Sequence, residues 1–303
     1  MIYDTLILGG GPAGYSAAVY AVRYNLKCLV IAKEPGGVMN EAYKVENYPG
    51  FPSIVGIELM DKIKEHVKYL GVEIKEEEIL NLNKKGKVFV VKTNKNKYES
   101  RTIIIVLGAE HKKLNVSGEK ELEKRGISYC YTCDGAFYRN KKVIIVGGGD
   151  AAAQAVLLLA SYNNDVTLLY RSDIIAEPAY QEQFKKLRNV KLVKGEILRI
   201  NGKTKVESIT LKGGEEINVD GIFVEIGSEP DLSLFKNFNL ELEGKYIKVD
   251  RHMKTNVDGI FAAGDITNIV FRQAITAAGD GAIAANSVYL YLKNIWINFL
   301  LDN

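Results

Sequence analysis

Two stretches of the chain repeat one pattern of apolar and polar positions. Each has a short apolar run, a glycine-rich turn, a segment of small residues, and a second apolar run. In the first, Thr5 to Leu8 predicts a strand, a small-residue helix runs through Ala21, and Cys28 to Ile31 predicts the next strand. In the second, Val143 to Val146 is the strand, Ala153 to Ser161 the helix and Val166 to Tyr170 the following strand. A third signal, "TNVDGIFAAGDI", gives an apolar strand from Gly259 to Ala263 that ends at Gly264-Asp265. Arg272-Gln273-Ala274 then opens a helix rich in Ala and Gly, in the style of the first module. From Asn83 to Arg101 charged residues alternate with Val and Phe, which predicts a solvated hairpin face and no nucleic-acid patch. The expected fold class is α/β, with two Rossmann-like dinucleotide-binding domains, the second inserted in the first. Residues 1–111 and 244–303 would form the discontinuous domain and residues 112–243 the insertion, with Pro230 and Gly244 as turns near the return crossing.

The turns carry the candidate chemistry. Gly9-x-Gly11-x-x-Gly14, with Pro12 and Ala13 inside it, follows a strand and opens a helix, and Glu34 stands twenty residues past Gly14. This is a dinucleotide fingerprint in its full context. Gly9 allows the tight turn, Gly11 lets the backbone approach a pyrophosphate, and Gly14 brings helix against strand. The pyrophosphate meets the exposed N–H groups and positive end of the helix, and Glu34 is placed to accept from a ribose hydroxyl. The second copy reads Gly147-x-Gly149-x-x-Ala152, with Arg171 where the first copy has its acid.

Composition narrows the class. The chain has 303 residues, 47% hydrophobic and 25% charged, with a net charge of +3 that is dispersed along it. That predicts two folded domains and no nucleic-acid partner. No apolar run approaches the ~20 residues needed to span a bilayer. The first residues enter a strand with no basic leader, and three cysteines make no disulfide scaffold, so a cytoplasmic protein is expected. The C-terminal "IWINFLL" is expected to dock on a core or a partner subunit. His66, His111 and His252 stand apart without ligand spacing, so no metal site is expected. Cys28, within "KCLVIA", reads as a buried small hydrophobe. That leaves Cys130 and Cys133 in "YCYTCDGAFYR", separated by two residues, with Asp134 directly behind. A redox dithiol is the strongest reading of the pair.

With "GGGPAGYSAAVYA", "VENYPG", "CYTCDG", "GGGDAA", "GIFAAGD" and "RQAITAAGDG" the chain resembles the low-molecular-weight thioredoxin reductases over essentially its whole length. The resemblance implies that the first module holds FAD, with Glu34 and Gly37 along the adenosine and phosphates and Asn47 near the flavin. Asp265 would bind the ribityl–phosphate region, and Arg272, Gln273 and Ala274 would approach the isoalloxazine ring. A Cys130–Cys133 disulfide would take two electrons from reduced flavin and pass them to thioredoxin or a thioredoxin-like protein. Cys133 would face the flavin, Cys130 would attack the partner, and Asp134 would supply and remove protons. A homodimer is implied, and so is rotation of the inserted domain about hinges near Glu110–Lys113 and Gly244–Lys245.

The sequence departs from the family at the second nucleotide site. Where NADPH-using members carry His-Arg-Arg-x-x-x-Arg, this chain reads Tyr170-Arg171-Ser172-Asp173-Ile174-Ile175-Ala176. One arginine in place of three removes the multi-point contact to a 2′-phosphate. Gln154 and Ala155 stand where acids are usual, and Val38 replaces a Gln near the flavin. The electron donor is thus open among NADPH, NADH and reduced ferredoxin. Two other functions are weighed beside a reductase: a flavin oxidase that makes peroxide, and a redox-sensing binding module without turnover.

Overall fold

The computed structural model describes residues 1–42, 45–123, 125–129 and 131–301, with the side chains of 110, 132, 133 and 295–301 outside the described set. The chain forms two compact units, Met1–Glu110 with Glu229–Asn303, and His111–Ser228. The return crossing therefore lies beside Pro230, and the segment 229–243, expected in the insertion, clusters with the first unit. Apolar burial is the reason. Phe235 is buried among Leu6, Leu8, Phe89 and Ile247, Phe238 packs on the Phe89 ring at 6.1 Å, and Asn237 Nδ2 donates to the Leu82 carbonyl at 3.0 Å. Gly244, at φ +62°, turns the antiparallel pair Leu242–Glu243 and Tyr246–Ile247 instead of marking a crossing.

In the first unit, β1 (Ile2–Leu8), α1 (Pro12–Arg23), β2 (Cys28–Ala32), α2 (Gly56–Tyr69), β3 (Glu73–Glu76), β4 (Ile79–Lys85), β5 (Val88–Thr93) and β6 (Lys97–Ile105) follow one another. One sheet runs β3-β2-β1-β6-β5-β4, and strand Ile260–Ala262 pairs with the second half of β6. The pairings of β1 with β2 and β6, of β2 with β3, and of β6 with Ile260–Ala262 are parallel. The inner strands, β1, β2, the second half of β6 and Ile260–Ala262, are apolar on both faces because both faces are covered, whereas the edge strand β3 is mostly charged. Ile7, Val30, Ile104 and Phe261 point to the helix side, while Leu6, Leu8, Leu29, Ile31, Ile103 and Ile105 fill the other. The lysine-rich stretch from Asn83 lies on the antiparallel strands β4 to β6, where the exposed positions are mostly charged. Helix Ala274–Leu301 packs along α1. Gly281 permits this contact, since a Cβ there would lie 2.0 Å from the Ala13 carbonyl oxygen.

The second unit holds a five-stranded parallel sheet in the order Val190–Lys194, Asp165–Tyr170, Lys142–Val146, Gly221–Val224, Ile127–Ser128. Val143, Ile145 and Phe223 face helix Asp150–Ser161. Ile144, Ile222 and Val224 face the antiparallel strands Ile197–Asn201, Ser208–Leu211 and Glu216–Asn218. This is the period-2 division of a strand between two layers. No helix among the described residues is long and apolar enough to cross a membrane.

The close approach at Gly281 sets the first prediction. Gly281→Ala should destabilise the protein by about 2–3 kcal/mol, because the methyl meets fixed backbone on α1. Urea unfolding measures this, and a midpoint unchanged from the parent would mean the two helices can part without loss.

Candidate dinucleotide and dithiol sites

The first cradle forms where β1, β2, β6 and Ile260–Ala262 end together. Gly9, at φ +126°, passes so close to β6 that a Cβ would lie 2.1 Å from the Val106 carbonyl oxygen. A Cβ on Gly14 would lie 2.2 Å from the Gly9 carbonyl oxygen, so only glycine lets α1 start this near the strand. The end of β1 is tied to β2 by the Gly9 amide on Ile31 O at 2.8 Å and to the end of β6 by the Val106 amide on Leu8 O at 2.9 Å. Gly11 caps α1 with no side chain, and Pro12 takes the position whose N–H would be unused. The Ala13 and Gly14 amides and the helix dipole are thereby aimed at open space. The Gly36 amide donates to Gly10 O at 2.8 Å and fixes the loop after β2 beside the turn. Gly37 comes near the same place, with its Cβ position 3.7 Å from Gly11 Cα. Asn40, which sequence reasoning missed, locks this loop through Nδ2 to Pro35 O at 3.0 Å. Glu34 is exposed at the rim.

Further along, Asn47 and Gln273 meet although they are far apart in sequence, with Asn47 Nδ2 donating to Gln273 Oε1 at 3.1 Å. Asn47 also lines an open recess of about 510 Å³ formed by residues 46–52. Gln273 precedes Ala274, the first residue of the long helix. The Arg272 guanidinium stacks 3.7 Å above the Tyr246 ring and donates to Thr267 O at 3.2 Å. Asp265 follows Gly264, whose φ of +73° brings its Cβ position within 3.1 Å of the Ala13 methyl. Its Oδ1 is buried with no protein partner among the described residues, and burial raises its pKa despite the nearby Arg272. A buried carboxylate oxygen without a donor, beside an open helix N-terminus and two glycine loops, fits a dinucleotide with a hydroxyl to offer. Asp280, on the long helix and not singled out by sequence, has the same character. Its Oδ2 is buried without a partner, and burial raises its pKa, opposed by the Gly264 amide and reinforced by Asp265.

The second unit repeats the construction. A Cβ on Gly147 (φ +155°) would lie 2.2 Å from the Glu225 carbonyl oxygen, while Gly149, the cap of helix Asp150–Ser161, has nothing within 4 Å. Ala152 is fully buried, so its methyl fits where the first turn needs Gly14. The loop after the second strand folds back on the turn. Ile175 and Ala176 amides both donate to Gly148 O, at 2.7 and 3.0 Å, and the Glu177 amide donates to Asp150 Oδ1 at 2.7 Å. Arg171, Ser172 and Asp173 are exposed there. Ala176, where the family pattern has an arginine, is only 3% exposed and belongs to the core with Phe184. That position faces inward here and presents nothing to a phosphate.

Cys130 lies outside the described residues. Cys133 is placed by its backbone in helix Tyr131–Asp134, with its side chain outside the described set. Asp134 is partly exposed and close enough to raise the Tyr138 pKa, after burial as the main cause. Gly135 explains how this segment docks, since a Cβ would lie 2.7 Å from Leu159 of helix Asp150–Ser161. Tyr138 then packs edge-on against Phe223 at 5.3 Å. Cys28 is half-buried, and burial pushes its thiol up to about 12, which keeps it unreactive at neutral pH.

Two glycine-turn cradles in one chain, with the helix Tyr131–Asp134 of a Cys-x-x-Cys sequence in the second unit, define the class of two-nucleotide disulfide oxidoreductases. A family model described as pyridine nucleotide-disulphide oxidoreductase matches residues 3–281. The thioredoxin reductase of Bacillus subtilis (strain 168) is 42% identical over 306 aligned positions, which cover 97% of this chain and 96% of that protein. The crystal structure of Lactococcus lactis thioredoxin reductase superposes with a TM-score of 0.92 at 36% identity, covering 96% of this chain and 99% of that one. A ferredoxin-flavin thioredoxin reductase from Clostridium acetobutylicum matches with a TM-score of 0.55 at 34% identity, covering 96% and 98%. The chain belongs to the pyridine nucleotide-disulphide oxidoreductase family, in its low-molecular-weight thioredoxin reductase branch.

The buried acids generate a pH prediction. A carboxyl whose pKa is higher folded than unfolded leaves stability intact below the unfolded value, and stability falls as pH rises through the folded value. Asp280→Asn should therefore raise the Tm of cofactor-free protein at pH 7, and the gain should shrink toward pH 4. Thermal scans across that range check it; a Tm for Asp280→Asn below the parent at pH 7 would reverse the sign assigned to this group.

Proposed function

We propose that the protein is a cytoplasmic, homodimeric flavin-dependent thioredoxin reductase. FAD would be held by the first cradle through Gly9, Gly11, Pro12, Ala13, Gly14, Glu34 and Gly37, with Asp265 as acceptor for a ribityl hydroxyl and Asn47, Gln273 and Ala274 at the flavin end. Bound there, FAD would supply a two-electron store between donor and dithiol. The observation that carries this reading is the pair of matched cradles, Gly9 on Val106 and Gly147 on Glu225, with Gly135, just past the Cys-x-x-Cys-Asp sequence, against Leu159 of the helix that leaves the second.

In the reductive half, the Cys130–Cys133 disulfide takes two electrons and, with two protons, becomes a dithiol. In the oxidative half, the Cys130 thiolate attacks a sulfur of the partner disulfide and displaces one partner thiolate. Cys133 then attacks Cys130 Sγ, releases the second partner thiol and re-forms the disulfide, so that two electrons and two protons pass to thioredoxin or a thioredoxin-like protein. Asp134 is the group nearest in sequence to move those protons.

The donor is the finer part of the proposal. In the second cradle Gly147, Gly149 and Ala152 leave room for a pyrophosphate. The loop offers Arg171 alone, next to Asp173, and its position 176 is buried. A 2′-phosphate is normally held by several charge-assisted hydrogen bonds, each worth roughly 1.5–3 kcal/mol. NADPH should therefore be a poor donor with little advantage over NADH, and reduced ferredoxin stands beside the two nucleotides as a donor to be tested.

Two experiments test this. Cys130→Ser and Cys133→Ser should each abolish thioredoxin reduction while the yellow colour of bound flavin remains, because the two thiols act as a unit. Substantial turnover in either would point to another electron exit. Steady-state kinetics with NADPH, NADH and reduced ferredoxin decides the donor, and a low-micromolar Michaelis constant for NADPH with strong discrimination against NADH would overturn that part.

A further inference from the structure

Strand Ile260–Ala262 leaves the sheet into a turn, Gly264–Ile266, that carries Asp265. The turn is held from several sides. The Ala263 amide donates to Ile105 O at 3.0 Å and ties its start to β6. The Gly264 carbonyl accepts the Thr267 amide at 3.0 Å and the Thr267 hydroxyl at 2.7 Å. Thr267 is fully buried, and its own carbonyl accepts from Arg272 at 3.2 Å. The Gly264 amide is held by Asp280, whose carboxyl accepts it.

Packing of the long helix Ala274–Leu301 brings Asp280 to this place. The Ala277 methyl lies 3.5 Å from the Cβ position of Gly264, and Gly281 rests on the Ala13 carbonyl of α1. Asp280, three residues past Ala277, lies on the same face of the helix. The residue it holds has the widest choice of backbone angles. Gly264 stands at φ +73°, and a glycine restrained on one side alone can leave that region at little cost. The direction of the next side chain, Asp265, therefore depends on the contacts at both Gly264 peptide groups. In the empty protein the Asp280 carboxyl is unfavourable, because burial and Asp265 both oppose its charge. Its contact with Gly264 gives it a use.

We propose that Asp280 is a positioning residue for the cofactor: by holding the Gly264 amide it fixes the turn that presents Asp265 to the ribityl chain of FAD. This rests on the reading above, in which Asp265 accepts from a ribityl hydroxyl. Asp280 and Thr267 grip Gly264 from its two sides, one at the amide and one at the carbonyl. Loss of either grip lets the turn sample other backbone angles, and the acceptor is then aligned for only part of the time. Because Asp280 acts through Asp265, removing Asp265 should remove its effect.

The test uses the full-length protein loaded with FAD. It is serially diluted, and the rise of free-flavin fluorescence gives the dissociation constant. Asp280→Ala removes the acceptor of the Gly264 amide, and Thr267→Val removes the hydroxyl from the Gly264 carbonyl. Each should weaken FAD binding by about 3–10-fold, the range of one net hydrogen bond. Asp280→Asn keeps a carbonyl acceptor and should stay within about twofold of the parent. In an Asp265→Ala background the effect of Asp280→Ala should fall below about twofold, because the residue it positions is gone. An Asp280→Ala effect of equal size in both backgrounds would overturn the positioning. So would an Asp280→Ala protein that loses thermal stability yet holds FAD like the parent. If Asp265→Ala alone binds FAD as tightly as the parent, the role given to Asp265 falls, and the positioning with it.

Discussion

The structure depends on a contact in which a side chain has to be absent. At the end of β1 in the first unit and of strand Lys142–Val146 in the second, a glycine is pressed against a carbonyl at the end of the neighbouring strand, with its missing Cβ 2.1 Å from Val106 O in one and 2.2 Å from Glu225 O in the other. Any side chain there would push strand and turn apart. Because the turn is that tight, the following helix starts at the sheet edge with its first amides exposed. The loop after the second strand is then drawn onto the turn through a single carbonyl, Gly10 O in the first unit and Gly148 O in the second. An edge of exposed helix amides follows from sterics before any charged residue is considered.

The two cradles share a backbone and differ in what lines them. The first presents a buried acid with an unused oxygen at Asp265, and a second at Asp280, both held above the usual carboxylate range by burial. Such groups are unfavourable in an empty protein and become favourable once a hydroxyl donor arrives. The second closes its loop on its own amides and on Asp150, leaving Arg171 as the exposed cation of that stretch and turning position 176 into the core. One scaffold therefore carries one turn flanked by buried acids with unpartnered oxygens and another whose loop presents Arg171 and folds position 176 inward.

Local patterns made most of the frame legible from sequence. The strands at Thr5, Cys28, Val143, Val166 and Gly259 were marked by apolar runs, and each structural strand lies within a residue or a few of its expected span. The glycine turns were legible because a fingerprint of fixed spacing reports a steric requirement. The long-range contacts were not. Gly244 looked like a domain boundary because a turn in sequence does not say which core its flanks join, and the burial of Phe235 and Phe238 decided that. Asn47 and Gln273 were each named, but their hydrogen bond joins residues whose separation carries no periodic signal. Asp280 lies inside a helix rich in small residues, where nothing in the local pattern says that a polar side chain faces the protein interior.

The central claim is that one flavin and one dithiol in this chain exchange electron pairs. Anaerobic dithionite titration of the FAD-bearing protein, followed by flavin absorbance, tests it most directly. If the dithiol is an electron acceptor coupled to the flavin, complete bleaching takes about two electron pairs per flavin in the parent and about one in Cys133→Ser. Bleaching complete after one pair in the parent, with the cysteines of the pair still oxidised, would contradict the account.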